Sequence, residues 1–238
     1  MSLIRVHAPR VKRQGMLIEM RQGWTEIRRR DWLPCGVASA GVYHVASGVV
    51  LVLVQVVAIR DLGGATSVGL ISAAEGAGGV LGAVIALRLR PRLLLFAGFA
   101  ALGLLPLWVV SYVWPGMLTG ILAGAFVGFA GLTFFSICWD TALQDAIPHH
   151  VLARVASWDI LTSFVGMPVG NALAGPLSST FGIDPILVGC AAVMLLAGCA
   201  PLAIRGTREV RPATAPIVEG SRPRAHATET GGVSDTNI

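Results

Sequence analysis

Six apolar runs, each close to twenty residues long, divide this chain, and no other feature restricts its fold as strongly. They lie at Leu33–Ile59, Ser67–Leu87, Leu93–Val113, Met117–Asp140, Val155–Leu177 and Pro185–Ile204. Hydrocarbon holds no water to satisfy a backbone N–H or C=O, so a spanning segment must close its own hydrogen bonds as a helix. About twenty residues then cover the ~30 Å core. The links between runs are short and carry Pro, Gly or charge: "RDLGGAT", "RLRPR", "WPG", "TALQDAIPHHVLAR" and "SSTFGID". Such links set neighbouring helices antiparallel. The expected fold is an all-α, polytopic membrane protein, a bundle of six transmembrane helices.

Charge agrees with lipid as the main solvent. Only 13% of the residues are charged, against about a quarter in a soluble domain. The net charge of +5 does not point to nucleic acid, because the basic residues sit at the ends of apolar runs and form no patch interleaved with aromatics. The single lysine is Lys12, and no G-x-x-x-x-G-K-S/T is present to cradle a nucleotide. Cys35, Cys138, Cys190 and Cys199 lie in apolar stretches without CxxC spacing, where cysteine behaves as a small hydrophobe. The expectation is therefore no metal, no cofactor, no nucleotide and no nucleic-acid partner. HExxH and GxSxG are absent as well, so an intramembrane enzyme has no nominated catalytic group. The first thirty residues are basic and lack the apolar core of a signal peptide.

The arginines orient the bundle. With the N-terminus cytoplasmic, segments 1–32, 88–92, 141–154 and 205–238 face the cytoplasm and hold seventeen of the eighteen Lys and Arg, leaving only Arg60 outside. The positive-inside rule favours this arrangement over its reverse, with both termini cytoplasmic in the cell membrane. Before the first run, in "MLIEMRQGWTEIRRRDW", Leu17, Met20, Trp24 and Ile27 share one helical face, while Glu19, Gln22, Glu26, Arg28 and Arg29 mostly occupy the other. Such an amphipathic helix suits the membrane interface, with Trp24 at headgroup level, or a packing partner. The tail from Arg205 is rich in Pro, Thr, Ala, Gly and Ser, without an aromatic residue, and reads as disordered. The domain reading is thus a linker with the amphipathic helix over 1–32, a transmembrane domain over 33–204 and a cytoplasmic tail over 205–238.

Small residues matter more in lipid, where helices associate by close packing rather than by the hydrophobic effect. Gly116, Gly120, Gly124 and Gly128 recur every fourth residue as one seam. Glu75 shares a face with Gly78, Gly79 and Gly82, which places its carboxylate towards protein and away from lipid. An ionisable group inside a span is a functional candidate, although a hydrogen bond to a neighbouring helix accounts for the same residue. His44, Ser47, Gly48 and Gln55 line one side of the first run. Asp159, Ser163, Gly166 and Gly170 line one side of the fifth, with Asn171 offset and Pro168 as a kink site. A polar lining on facing helices suggests a water-filled cavity. His44, Gln55, Glu75, Asp159 and Asn171 are accordingly the candidates for a substrate or proton pathway. Arg154 is expected to pair with Asp140, Asp145 or Asp159 at the cytoplasmic rim.

The stretch "TALQDAIPHHVLARVASWDILTSFVGMPVGNALAGPLSSTFG", Thr141–Gly182, resembles the tenth-to-eleventh helix region of major facilitator superfamily transporters. The similarity is closest to the drug, macrolide and siderophore exporters, in T-x-L-Q-x-x-x-P, R-V-x-S and P-x-G-x-x-x-A-G-P-L. "MLIEMRQGWTEIRRRDWL" is similar to their central linker, and "RLRPR" sits where their eighth and ninth helices join. The resemblance spans Met16 to Arg205. It implies two six-helix halves around a substrate cavity, alternating access and usually proton-coupled efflux of a small molecule. The superfamily's G-x-x-x-D-R/K-x-G signature is degenerate here, with Ala86 at its Asp position and Leu89 at its second Gly. The resemblance reaches only the C-terminal half. A truncated reading frame, a second half supplied by a homodimer or separate chain, and an accessory subunit without transport of its own all stay open.

Overall fold

The structure, a computed structural model, describes residues 16–89, 93–114, 118–204 and 207. The proposed tail is almost wholly outside these residues. Helix α1 (Met16–Arg28) precedes α2 (Trp32–Asp61), α3 (Ala65–Arg88), α4 (Leu94–Leu102), α5 (Leu105–Ser111), α6 (Leu118–Ala146), α7 (His149–Phe181) and α8 (Ile183–Cys199), and a 3-10 turn covers Ala200–Ala203. With α4 and α5 taken as one interrupted span, six helices are long and apolar enough to cross a membrane. No strand occurs among the described residues.

The expected spans are found, with one break inside a span and one difference in a link. The third breaks at Gly103–Leu104, because Pro106 in the first turn of α5 has no N–H to give and its ring crowds the preceding turn. The link 141–154, expected to lie between spans, is nearly all helix: α6 continues to Ala146 and α7 begins at His149. Polar residues at a helix end can project into headgroups and water without ending it. What separates α6 from α7 is Pro148, which disfavours helical backbone at Ile147. The tightest turns use glycines at positive φ, Gly63 and Gly64 after α2 and Gly182 between α7 and α8.

Packing pairs α2 with α7 and α3 with α6, while the consecutive helices α2 and α3 touch little, and likewise α6 and α7. The α4–α5 span packs on α6, and α8 packs on α2. Exchanging α2 with α6, α3 with α7 and α4–α5 with α8 reproduces this pattern. The bundle is therefore two three-span units related by an approximate two-fold, inverted because three spans is an odd number.

Glycines repeat the relation at atomic detail. A side-chain carbon at Gly78 or Gly82 of α3 would run into the α6 carbonyls of Phe126 and Ala130. One at Gly166 or Gly170 of α7 would crowd the α2 carbonyls of Gly41 and Val45. In both pairs, glycines four residues apart meet carbonyls four residues apart, the close backbone approach that lipid-embedded helices use. The opposite face of α6 sets Gly124 and Gly128 against Trp108 and Leu105, and Gly131 against the Ala101 carbonyl. That seam continues forward to Gly131, and Gly116 lies outside the described residues.

Helix α1 docks on the start of α7. Ile27 is fully buried, Gly23 sits against the Arg154 backbone carbonyl, and Trp24 meets Trp158 with ring centroids 5.2 Å apart. Trp24 nevertheless remains 40% exposed. The guanidinium of Arg30 donates to the Ala146 carbonyl at 2.9 Å, satisfying an open acceptor at the end of α6 and tying the linker to the bundle.

Candidate functional site

Because α2 touches α3 so little, space remains between the two tight helix pairs. A cavity of about 310 Å³ lies there, lined from α2 by Tyr43, His44, Ser47 and Gln55, from α3 by Ser72 and Glu75, and walled by Trp108, Tyr112 and Phe129. A second cavity of about 230 Å³ lies towards the arginine-rich end. Ser39, Phe135, Ser136, Trp139, Asp140, Asp159 and Ser163 line it. Tyr43, His44 and Leu132 border both, so His44 stands between a chamber holding Glu75 and one holding Asp140 and Asp159.

Local bonding fixes the histidine. Its Nδ1 lies 2.6 Å from the Ala40 carbonyl, one helical turn back, so Nδ1 carries a proton and donates. The Ser163 hydroxyl of α7 sits 3.5 Å from the same nitrogen and donates to the Asp159 carbonyl at 3.2 Å. The Asp159 carboxylate accepts from the Trp139 indole N–H at 3.3 Å. Trp139 in turn stacks with Phe135 and meets Trp32 edge-on, closing the arginine-rich end of the chamber with rings.

Four of the five pathway candidates thus meet at this pair of cavities: Gln55 and Glu75 in one, Asp159 in the other, His44 in both. Asn171 lines neither. It is exposed on α7, one residue beyond the Gly170 contact with α2. The polar stripes read from the sequence also divide. Ser47 and Ser163 face cavities, whereas Gly48, Gly166 and Gly170 form the α2–α7 seam.

Near the rim where a pair of Arg154 is expected, Glu26 of α1 is a second acid close by. At this end Arg29 and Arg30 pair with Glu26, at 2.7 and 3.3 Å. Arg154 lines a groove with Arg21, Gln22 and Glu26 of α1, Asp140 faces the second cavity, and Asp145 is exposed on α6. Both pairs are local, three and four residues along the chain from Glu26, and docking of α1 is what sets Glu26 in the groove that Arg154 lines.

The aromatic wall was not anticipated from sequence. Trp108 and Tyr112 are four residues apart, a spacing that puts them on one helical face, but aromatic residues in an apolar run read equally well as core or lipid contacts. Trp108 packs edge-on against both Tyr112 and Phe129, with centroids at 5.7 and 5.2 Å.

Chemically, the arrangement offers a small, mostly apolar chamber with a few convergent polar groups, the usual build of a small-molecule site. Among the described residues no group of three or more His, Cys, Asp or Glu is placed to hold a metal ion. A family model described as transmembrane secretion effector matches residues 4–217 of the chain. No curated protein and no solved structure matches it.

Proposed function

The chain belongs to the transmembrane secretion effector family of major facilitator transporters, and on that premise we propose that it forms one six-helix half of a carrier exporting a small molecule across the cell membrane, coupled to an ion. The carboxylate-bearing cavity between the α2–α7 and α3–α6 pairs carries this reading. Its walls come from these two helix pairs, each tightly seamed by glycine but touching one another little, with α5 and α8 completing the lining. Such a chamber can open by rocking of one pair against the other. Glu75 and Asp159, on either side of His44, supply groups able to gain and lose a proton along the path.

The working carrier has a second six-helix unit, a copy of this chain or a separate one, set against α3 and α7. These are the least buried of the six spans. They expose Leu81 and Val84 on α3 and Phe164, Val165 and Val169 on α7. Asn171 is exposed there too, and hydrocarbon tolerates an unsatisfied amide poorly, so protein or a water-lined passage is the better neighbour.

Both termini face the cytoplasm, following the arginines. A reporter active only outside the cytoplasm should stay silent when fused after Ile238, and strong activity there would reverse the orientation. Transport itself is tested in everted membrane vesicles from cells carrying the gene in its native context. ATP-independent solute accumulation that vanishes on deletion supports the reading. Unchanged accumulation after deletion would leave an accessory protein without transport of its own.

A further inference from the structure

We propose that the cavity holding Glu75 selects an organic cation: a compact, largely apolar molecule with one positively charged nitrogen and one hydrogen-bond acceptor. This rests on the reading of the cavity as a solute site and adds the class of solute.

Three features of the walls point the same way. Glu75 is the sole carboxylate among the described lining residues, and none of these is lysine or arginine. An anionic solute would meet that carboxylate with His44 as the one basic side chain to offset it, and the Nδ1 of His44 is already committed to the Ala40 carbonyl. Beside a neutral solute the carboxylate has no counter-charge and is relieved only by taking up a proton. A cation supplies the missing counter-charge.

The second feature is aromatic. Tyr43, Trp108, Tyr112 and Phe129 all border the cavity, and the edge-on packing of Trp108 with Tyr112 and Phe129 holds that corner in place. Ring faces attract a desolvated cation, tryptophan most strongly. Met167 and Met194 add polarisable, adaptable surface for an apolar body.

The third is a pair of unused donors. The Tyr43 hydroxyl and the Trp108 indole N–H are buried, on side chains 8% and 6% exposed, and neither has a hydrogen-bond partner among the described residues. The indole N–H also feels the Tyr112 hydroxyl four residues on, without completing a hydrogen bond to it. Buried tyrosine and tryptophan normally find an acceptor, so two beside one cavity suit a solute that brings an ester, ether or carbonyl oxygen.

The test is equilibrium binding to the purified full chain in lipid nanodiscs, with three aromatic probes that differ in charge. Procaine is a cationic aromatic ester, ethyl 4-aminobenzoate its neutral counterpart, and hippurate an anion. Procaine should bind at least about tenfold tighter than the neutral ester, with no saturable hippurate binding. Glu75→Gln should remove that preference, and Trp108→Phe, which keeps a ring and deletes the donor, should weaken procaine by about threefold to tenfold. Size-exclusion profiles matching the native chain certify that each variant is folded. Equal binding of procaine and the neutral ester, procaine binding indifferent to Glu75→Gln, or no procaine binding at all would overturn the assignment. Cation-selective binding without flux in native vesicles would instead sink the transport reading and leave this one standing, while flux confined to neutral solutes would do the reverse.

Discussion

Leucine in place of Gly82 should leave almost no folded chain in a detergent extract. At this position the first side-chain carbon already meets the Ala130 carbonyl of α6, and a carbonyl held in a helix cannot swing aside as a side chain can. Overpacking a core usually costs about 1–3 kcal/mol, and an obstruction made of backbone belongs at or above the upper end. Helices α3 and α6 would have to separate along their length, opening one of the two tight pairs. The approximate two-fold makes the prediction sharper: Gly170→Leu, against the Val45 carbonyl of α2, should fail in the same way. Gly76→Ala and Gly189→Ala provide the contrast, because nothing lies within 4 Å of a side-chain carbon at either. Both should extract as the native chain does, since alanine is also the better helix former. Fluorescence-detected size exclusion reads all four. A folded, native-like Gly82→Leu would mean that the seams do not hold the bundle together.

Glu75→Gln should abolish ion-driven accumulation of solute, down to the level of membranes without the chain, while leaving the amount of folded protein unchanged. Glutamine keeps the shape and hydrogen-bonding reach of the side chain and cannot exchange a proton. Gly78 and Gly82, three and seven residues on, pack into α6, so the glycines of this segment serve helix contact and leave the carboxylate to the cavity. A plain structural hydrogen bond by Glu75 would survive the change, and with it accumulation and its dependence on pH. In that case the functional weight moves to Asp159 and His44.

The spans were legible because apolar length is a direct consequence of bilayer thickness, and the glycine pairs because close helix approach in lipid leaves a four-residue period. The polar positions His44, Gln55, Glu75 and Asp159 were legible because water-seeking groups inside a span need a reason to be there. What could not be read is where several helices converge. Trp108, Tyr112 and Phe129 form a wall only because α5 and α6 meet near α3, and no local pattern states that. The break at Gly103–Leu104 hides inside a run apolar throughout, and the helical link 141–154 hides behind its charges. The pairs of Arg29 and Arg30 with Glu26 follow from spacings of three and four residues along the chain, which the sequence already displays, whereas the groove that brings Arg154 beside Glu26 is a tertiary event.

The central claim is that the chamber at Glu75 is a solute passage that faces each side of the membrane in turn. Ser72 lines that chamber one helical turn from Glu75, whereas Leu196 on α8 is 70% exposed and lines neither cavity. With Cys35, Cys138, Cys190 and Cys199 replaced by alanine, a membrane-impermeant thiol reagent is applied to Ser72→Cys in intact cells and in everted vesicles. The account predicts labelling of Ser72→Cys from both faces and none of Leu196→Cys. A Ser72→Cys that stays unlabelled from both sides in correctly folded protein would contradict it.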